Sequence, residues 1–248
     1  MITMRIGELH RRQQLGVVGA ALAGQIRSAP ALFRQPAHTA NPAGRPTPPD
    51  SRLCRDALAE AHTLLSSTIL AHSLRCWEFG VALAELDGLL FDPESLYVAC
   101  LLHDAALGAD HDPHIGCFAA LGAVRAREFV LRHDGPPPMG DRIHDAVARH
   151  MDVATPVDAG TEAALLHDAA HLDVVGARSH ELSREVLTRV HTDLPRVGFA
   201  SDFSRAMRIE SRLRPRSIAA TMWRAGMPAA IALNPLERRA QGTDPVRR

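Results

Sequence analysis

Leu96-Tyr97-Val98-Ala99-Cys100-Leu101-Leu102-His103-Asp104 is an apolar run that ends abruptly in two residues able to bind metal. Asp92-Pro93-Glu94 precedes it, a helix start signal with Pro inside the first turn. The run therefore reads as a helix closed by His103-Asp104. Two more residues of the same kinds, His72 and Asp173, lie on segments before and after it. Neutral imidazole and carboxylate are side chains that bind a divalent metal without redox chemistry of their own. Three segments supplying such groups suggest a metal site assembled by folding, and a bound metal suggests activation of water.

Local geometry limits that reading. Neighbours on a helix are about 100° apart, so His103 and Asp104 share one ion only in the wedge between them. The remaining ligands must come from other helices. His72 sits on the preceding segment, where a short connection makes antiparallel packing easy. Asp173 lies near Gly176, a residue that permits close backbone approach. On spacing alone, surface or capping roles compete with the metal. The chain has 14 histidines, and Asp also follows His at His111, His133, His144 and His167.

Outward from this run the pattern is helical. Residues 51–66 carry apolar side chains at helical spacing, with Asp50 available as the cap. The next segment holds His72, Trp77, Phe79, Val81, Leu83 and Leu86 and ends near Asp87-Gly88. Later helices are expected at 117–131, ended by Gly135 and three prolines, then at 141–151, 161–173, 179–190 and 201–213. Strand-like alternation is scarce, and no Asn-Gly hairpin signal occurs. The expected fold is all-α, a helical bundle over residues 50–215. A flexible or disordered N-terminal extension covers 1–49 and a C-terminal tail 216–248.

The 28 acidic and 28 basic residues balance, so no net field draws the chain to nucleic acid or an anionic membrane. There is no Lys, which excludes a Schiff-base, P-loop or general-base lysine. Cys54, Cys76, Cys100 and Cys117 form no CxxC pair, which argues against a cysteine zinc cluster. Arg11-Arg12, the apolar stretch Leu15 to Gly24 and Ala29-Pro30-Ala31 resemble a twin-arginine export signal. Gln14, Arg27 and Arg34 fit that pattern poorly. A cytoplasmic protein is the expectation, with twin-arginine export the alternative. The apolar stretch is too short to span a bilayer as a helix.

The flanks of these residues resemble a known family. His72-Ser73-Leu74-Arg75 leading to Trp77, Phe79 and Gly80, the run into His103-Asp104, Phe118-Ala119-Ala120-Leu121-Gly122-Ala123, Ala146 to His150, and Leu172-Asp173-Val174-Val175-Gly176 occur in order. Together they are similar to the HD superfamily of metal-dependent hydrolases, and within it to the cyanamide-hydratase-like branch. The resemblance implies an HD-domain helical bundle and one divalent metal ion (Zn, Fe or Mn) held by His72, His103, Asp104 and Asp173. Asp173 is preferred to Asp168 because its flanks match. Dinuclear HD proteins add two histidines, for which His133, His144 and His150 are available. The chain departs from the branch at Ala119, where the family has an acidic residue, and at Ala105 and Ala106.

The implied function is a metal-dependent hydrolase or hydratase acting on a small-molecule, nitrile-like substrate. Asp104, Arg75 and His150 are the candidate catalytic residues, Arg75 also being placed to pair with Asp104 or Asp173. His114 is a further proton-shuttle candidate, and a loop residue otherwise. The alternatives are a phosphohydrolase for nucleotides or other phosphoesters, and an inactive metal-binding module. No nucleic acid or membrane partner is expected, and a homo-oligomer is left open.

Overall fold

Several helices of the computed structural model begin where a short polar side chain takes up a free backbone N–H group. Ser51, Ser66, Asp92, Ser183 and Ser217 accept from the N–H groups of Cys54, Ile69, Glu94, Val186 and Ala220. The structure describes residues 4–28, 45–109 and 112–237. Their helices are α1 (Arg11–Ser28), α2 (Arg52–Leu64), α3 (Ser67–Asp87), α4 (Pro93–Leu102), α5 (Phe118–Arg132) and α6 (Pro137–Arg149). The series continues with α7 (Thr161–Val175), α8 (Arg184–Asp193), α9 (Phe199–Leu213), α10 (Ile218–Arg224) and α11 (Met227–Ala232). Among the described residues there are no strands, only two isolated bridges.

α4 is the buried axis of the bundle. Every residue from Ser95 to Leu102 is buried, which suits an apolar run without a polar face. α2, α3, α6 and α7 all pack on it, and α3 also lies along α7. A fully buried Leu such as Leu96 or Leu101 contributes roughly 2 kcal/mol of transfer free energy. α5 crosses the end of α4 at Gly122. A Cβ there would stand 3.3 Å from the His103 carbonyl oxygen, so a glycine lets α5 approach His103 closely.

Some boundaries differ from those read in the sequence. Ser51 caps α2, while the Asp50 carboxylate accepts from Arg55 Nη1 instead. The three prolines after Gly135 do more than end α5, for Pro137 opens α6 in the first turn, where its missing N–H costs nothing. Within the N-terminal extension, α1 packs on α10. Ile6 pairs with the backbone of His114 and Gly116, and Glu8 is buried against Arg5 and Arg216. The cleavage-like Ala29-Pro30-Ala31, Arg34 and the linker up to residue 44 lie outside the described residues.

The packed structure also continues past residue 215, the expected end of the bundle. α10 and α11 cover α9, and Met227, Ile231 and Leu236 are buried. Residues 238–248 of the expected tail lie outside the described residues. Among the described residues no helix is long and apolar enough to cross a membrane.

Candidate metal centre

Five side chains from four places in the chain meet at the ends of α4 and α6. His72 comes from the first half of α3. His103 caps α4 with Asp104 beside it, and His150 caps α6. Asp173 comes from the last turn of α7. All five are at most 3% exposed.

The hydrogen bonds fix which imidazole nitrogen carries the proton. A backbone carbonyl only accepts, so a ring nitrogen bonded to one must donate. His103 Nδ1 donates to Cys100 O at 2.8 Å, and His150 Nδ1 donates to Val147 O at 2.6 Å. His72 Nδ1 donates to Asp173 Oδ2 at 2.7 Å, since a carboxylate likewise only accepts. In their neutral forms all three rings leave Nε2 unprotonated in the small volume around His103 and Asp104. Burial pushes the His103 imidazole below its usual pKa and takes that of His150 down to about 3, which favours the neutral form that binds metal.

That volume contains acceptors facing acceptors. His72 Nε2 is 3.2 Å from His103 Nε2, and Asp104 Oδ2 is 3.7 and 3.4 Å from these two nitrogens. His150 Nε2 lies 3.7 Å from Asp104 Oδ1. Neither Asp104 Oδ2 nor His150 Nε2 has a hydrogen-bond partner. Lone pairs this close, buried and without a proton between them, repel unless a cation joins them. Donors bound at 2.0–2.1 Å around a tetrahedral ion stand about 3.3–3.4 Å apart, close to these separations. The residues fit a divalent metal. Cys76 Sγ is also close, 3.7 Å from both nitrogens of His72. Being equidistant, it lies on neither lone-pair axis.

Asp173, expected as a ligand, reaches the centre with both oxygens bonded to other side chains. Arg75 donates to both its oxygens, from Nε at 2.9 Å and Nη2 at 2.8 Å, and Arg196 Nη1 donates to Oδ1. With His72 on Oδ2, both oxygens are committed. Burial pushes the Asp173 carboxyl up, but Arg196, Arg75 and His72 outweigh that and hold it well below the usual carboxylate range. Asn234 donates to its backbone carbonyl at 2.9 Å. Asp173 thus stands behind His72 and orients its ring.

Arg75 stands with it, fully buried. Its remaining donor reaches the Leu194 and Pro195 carbonyls at 3.4 and 3.1 Å. Of the two pairings expected for it, the structure makes the one with Asp173.

The other sequence candidates lie elsewhere. His133 pairs with Asp56 and His144 with Asp145, so neither joins His150 in a second metal set. His167 and Asp168 bond to each other and, through Asp168, to Arg178 on the outer side of α7. Trp77, Phe79 and Phe118 are core residues. Ala119 is buried in an apolar cluster with Phe118 and Phe203 and is not part of the pocket wall.

A cavity of about 340 Å³, counted out to where it opens to solvent, adjoins the centre. His72, His103, Asp104 and His150 form one side of it. Met151, Val174, Phe203 and Met227 are among its apolar walls, with His171 between them. Sequence reading missed Arg196, Phe203, Met227 and Asn234. One signal was present, because Phe199, Phe203, Met207 and Glu210 recur at helical spacing and form the buried face of α9.

Comparison with known proteins agrees with this centre. Residues 69–156 match the HD domain family model and form an HD domain, which spans His72, His103, Asp104 and His150. The chain is also similar to two proteins of Saccharomyces cerevisiae, cyanamide hydratase DDI2 and cyanamide hydratase DDI3. Each is 28% identical over 173 residues, covering 68% of this chain and 76% of the relative. The domain, its relatives and the His/Asp cluster together support a metal-dependent HD hydrolase.

Proposed function

We propose that the chain is a metal-dependent hydratase or hydrolase for a small, uncharged molecule with a nitrile-like carbon, cyanamide being the first candidate. One observation carries the choice of substrate class: no guanidinium lines the pocket among the described residues. Arg75 and Arg196 are both committed to Asp173, and Arg149 beside His150 is exposed on the surface. A phosphoester would need several cationic donors next to the metal. A small neutral molecule needs a compact apolar site, and Met151, Val174, Phe203 and Met227 line this one.

His72, His103, Asp104 and His150 would hold the ion, with Asp173 orienting His72 from behind. A divalent metal in such a site acts as a Lewis acid and makes water a nucleophile near neutral pH. The chain's own residues prepare the rest. Arg75 and Arg196 fix Asp173, which fixes the His72 tautomer. Met151, Val174, Phe203 and Met227 keep bulk water from the reacting side and confine the substrate against the ligands.

Elemental analysis of the purified protein, followed by assays on cyanamide, small nitriles and a generic phosphoester, tests this reading. About one equivalent of metal with nitrile hydration is expected. Cleavage of the phosphoester alone would favour the wider phosphohydrolase class. Bound metal without turnover of any of these compounds would favour the inactive module. In Asp104→Ala both metal content and turnover should disappear; a variant that keeps its metal would sink the ligand assignment.

A further inference from the structure

We infer that His171 selects the substrate, its Nε2 accepting a hydrogen bond from an N–H or O–H group carried by the small neutral molecule. The inference rests on the reading above and adds a residue and a requirement to it. Four of the polar side chains on the pocket wall, His72, His103, Asp104 and His150, belong to the proposed metal site. Among the described residues that line the cavity, His171 is the remaining polar side chain. Outside the proposed ligands, a substrate held there has no other described side chain in that wall with which to form a hydrogen bond.

Its tautomer decides what it can recognise. His171 Nδ1 donates to the His167 carbonyl one turn earlier at 2.8 Å, so Nε2 carries a lone pair and no proton. The ring is held in that orientation by the His167 ring, whose centroid is 4.1 Å away. His167 is pinned in turn by Asp168 and by the Asp152 carbonyl. A preorganised acceptor on an apolar wall favours a molecule with a donor and rejects one without, because filling the pocket then leaves the acceptor unpaired. The chemistry that fits is a compact electrophile with an N–H or O–H next to the reacting carbon.

Cyanamide and acetonitrile make a direct test, since they share a nitrile and differ in an amino against a methyl group. Their affinities can be measured from the visible spectrum of cobalt-reconstituted protein, alongside turnover. In His171→Leu the preference for cyanamide over acetonitrile should fall about 3- to 10-fold with metal content unchanged. His171→Gln presents an amide oxygen near the Nε2 position and should restore most of the preference. An unchanged preference in His171→Leu with both compounds still hydrated overturns the role of His171 and leaves the hydratase reading standing. A preference that falls in His171→Leu although wild type hydrates neither compound removes the hydratase reading and keeps His171. No spectral response of wild type to either compound overturns both.

Discussion

At the residue scale, Asp173 shows how one carboxylate does two tasks. It sets the His72 tautomer and neutralises two buried guanidinium groups, Arg75 and Arg196. Asp173→Ala should therefore destabilise the protein by about 3–5 kcal/mol in urea denaturation, because it strands the Arg75 charge in the interior and leaves Arg196 only Glu237. The pH dependence follows from the lowered pKa. A carboxylate depressed in the folded state gives its full stabilisation above the unfolded value, about 3.9. That stabilisation is lost as pH falls through the folded value. Urea midpoints from pH 6 down to pH 3 should therefore drop steeply at the acid end in wild type and less so in Asp173→Asn. In Asp173→Asn metal affinity should fall roughly 10- to 100-fold, the effect of removing a carboxylate behind a ligating histidine. Complete loss of metal would instead identify Asp173 as a direct ligand.

At the element scale, the C-terminal end of α7 connects the centre to the last folded segment. Gly176 ends α7 at φ +77°, and a Cβ there would stand 2.5 Å from Pro235 Cδ and 2.8 Å from Asn234 Oδ1. Gly176→Ala combines backbone strain with a clash, and a loss of about 1–3 kcal/mol is expected from thermal or urea unfolding. Since Asn234 holds the Asp173 carbonyl, the same variant should bind metal more weakly. Unchanged metal affinity in a destabilised Gly176→Ala would separate the C-terminal segment from the centre. Much of the element scale was legible in the chain. The apolar run, its Asp92-Pro93 start and the helices around it appear in the structure near their expected places, because periodicity and caps are local signals.

At the scale of the whole molecule, the bundle continues beyond the matched HD domain. Met227 closes the pocket, while Asn234 and Glu237 reach back to Asp173 and Arg196. A chain ended at residue 215 should lose metal binding and cooperative unfolding together, measured by metal content and a urea transition. A two-state, metal-binding fragment would show that α10 and α11 are dispensable. Their importance was hidden because short helices carry little periodic signal.

By itself the sequence determined the all-α class, the His-Asp pair at the end of α4 and the candidate residues His72, His103, Asp104, His150 and Asp173, since these depend on local pattern and side-chain chemistry. Only the tertiary structure decided which of them face one another. It gathered His72, His103, Asp104 and His150 along one pocket, gave Asp173 to two arginines, and left His171 on the pocket wall. Those choices depend on long-range packing, above all on Arg196 and on the C-terminal helices, whose distance along the chain carries no trace of their distance in space.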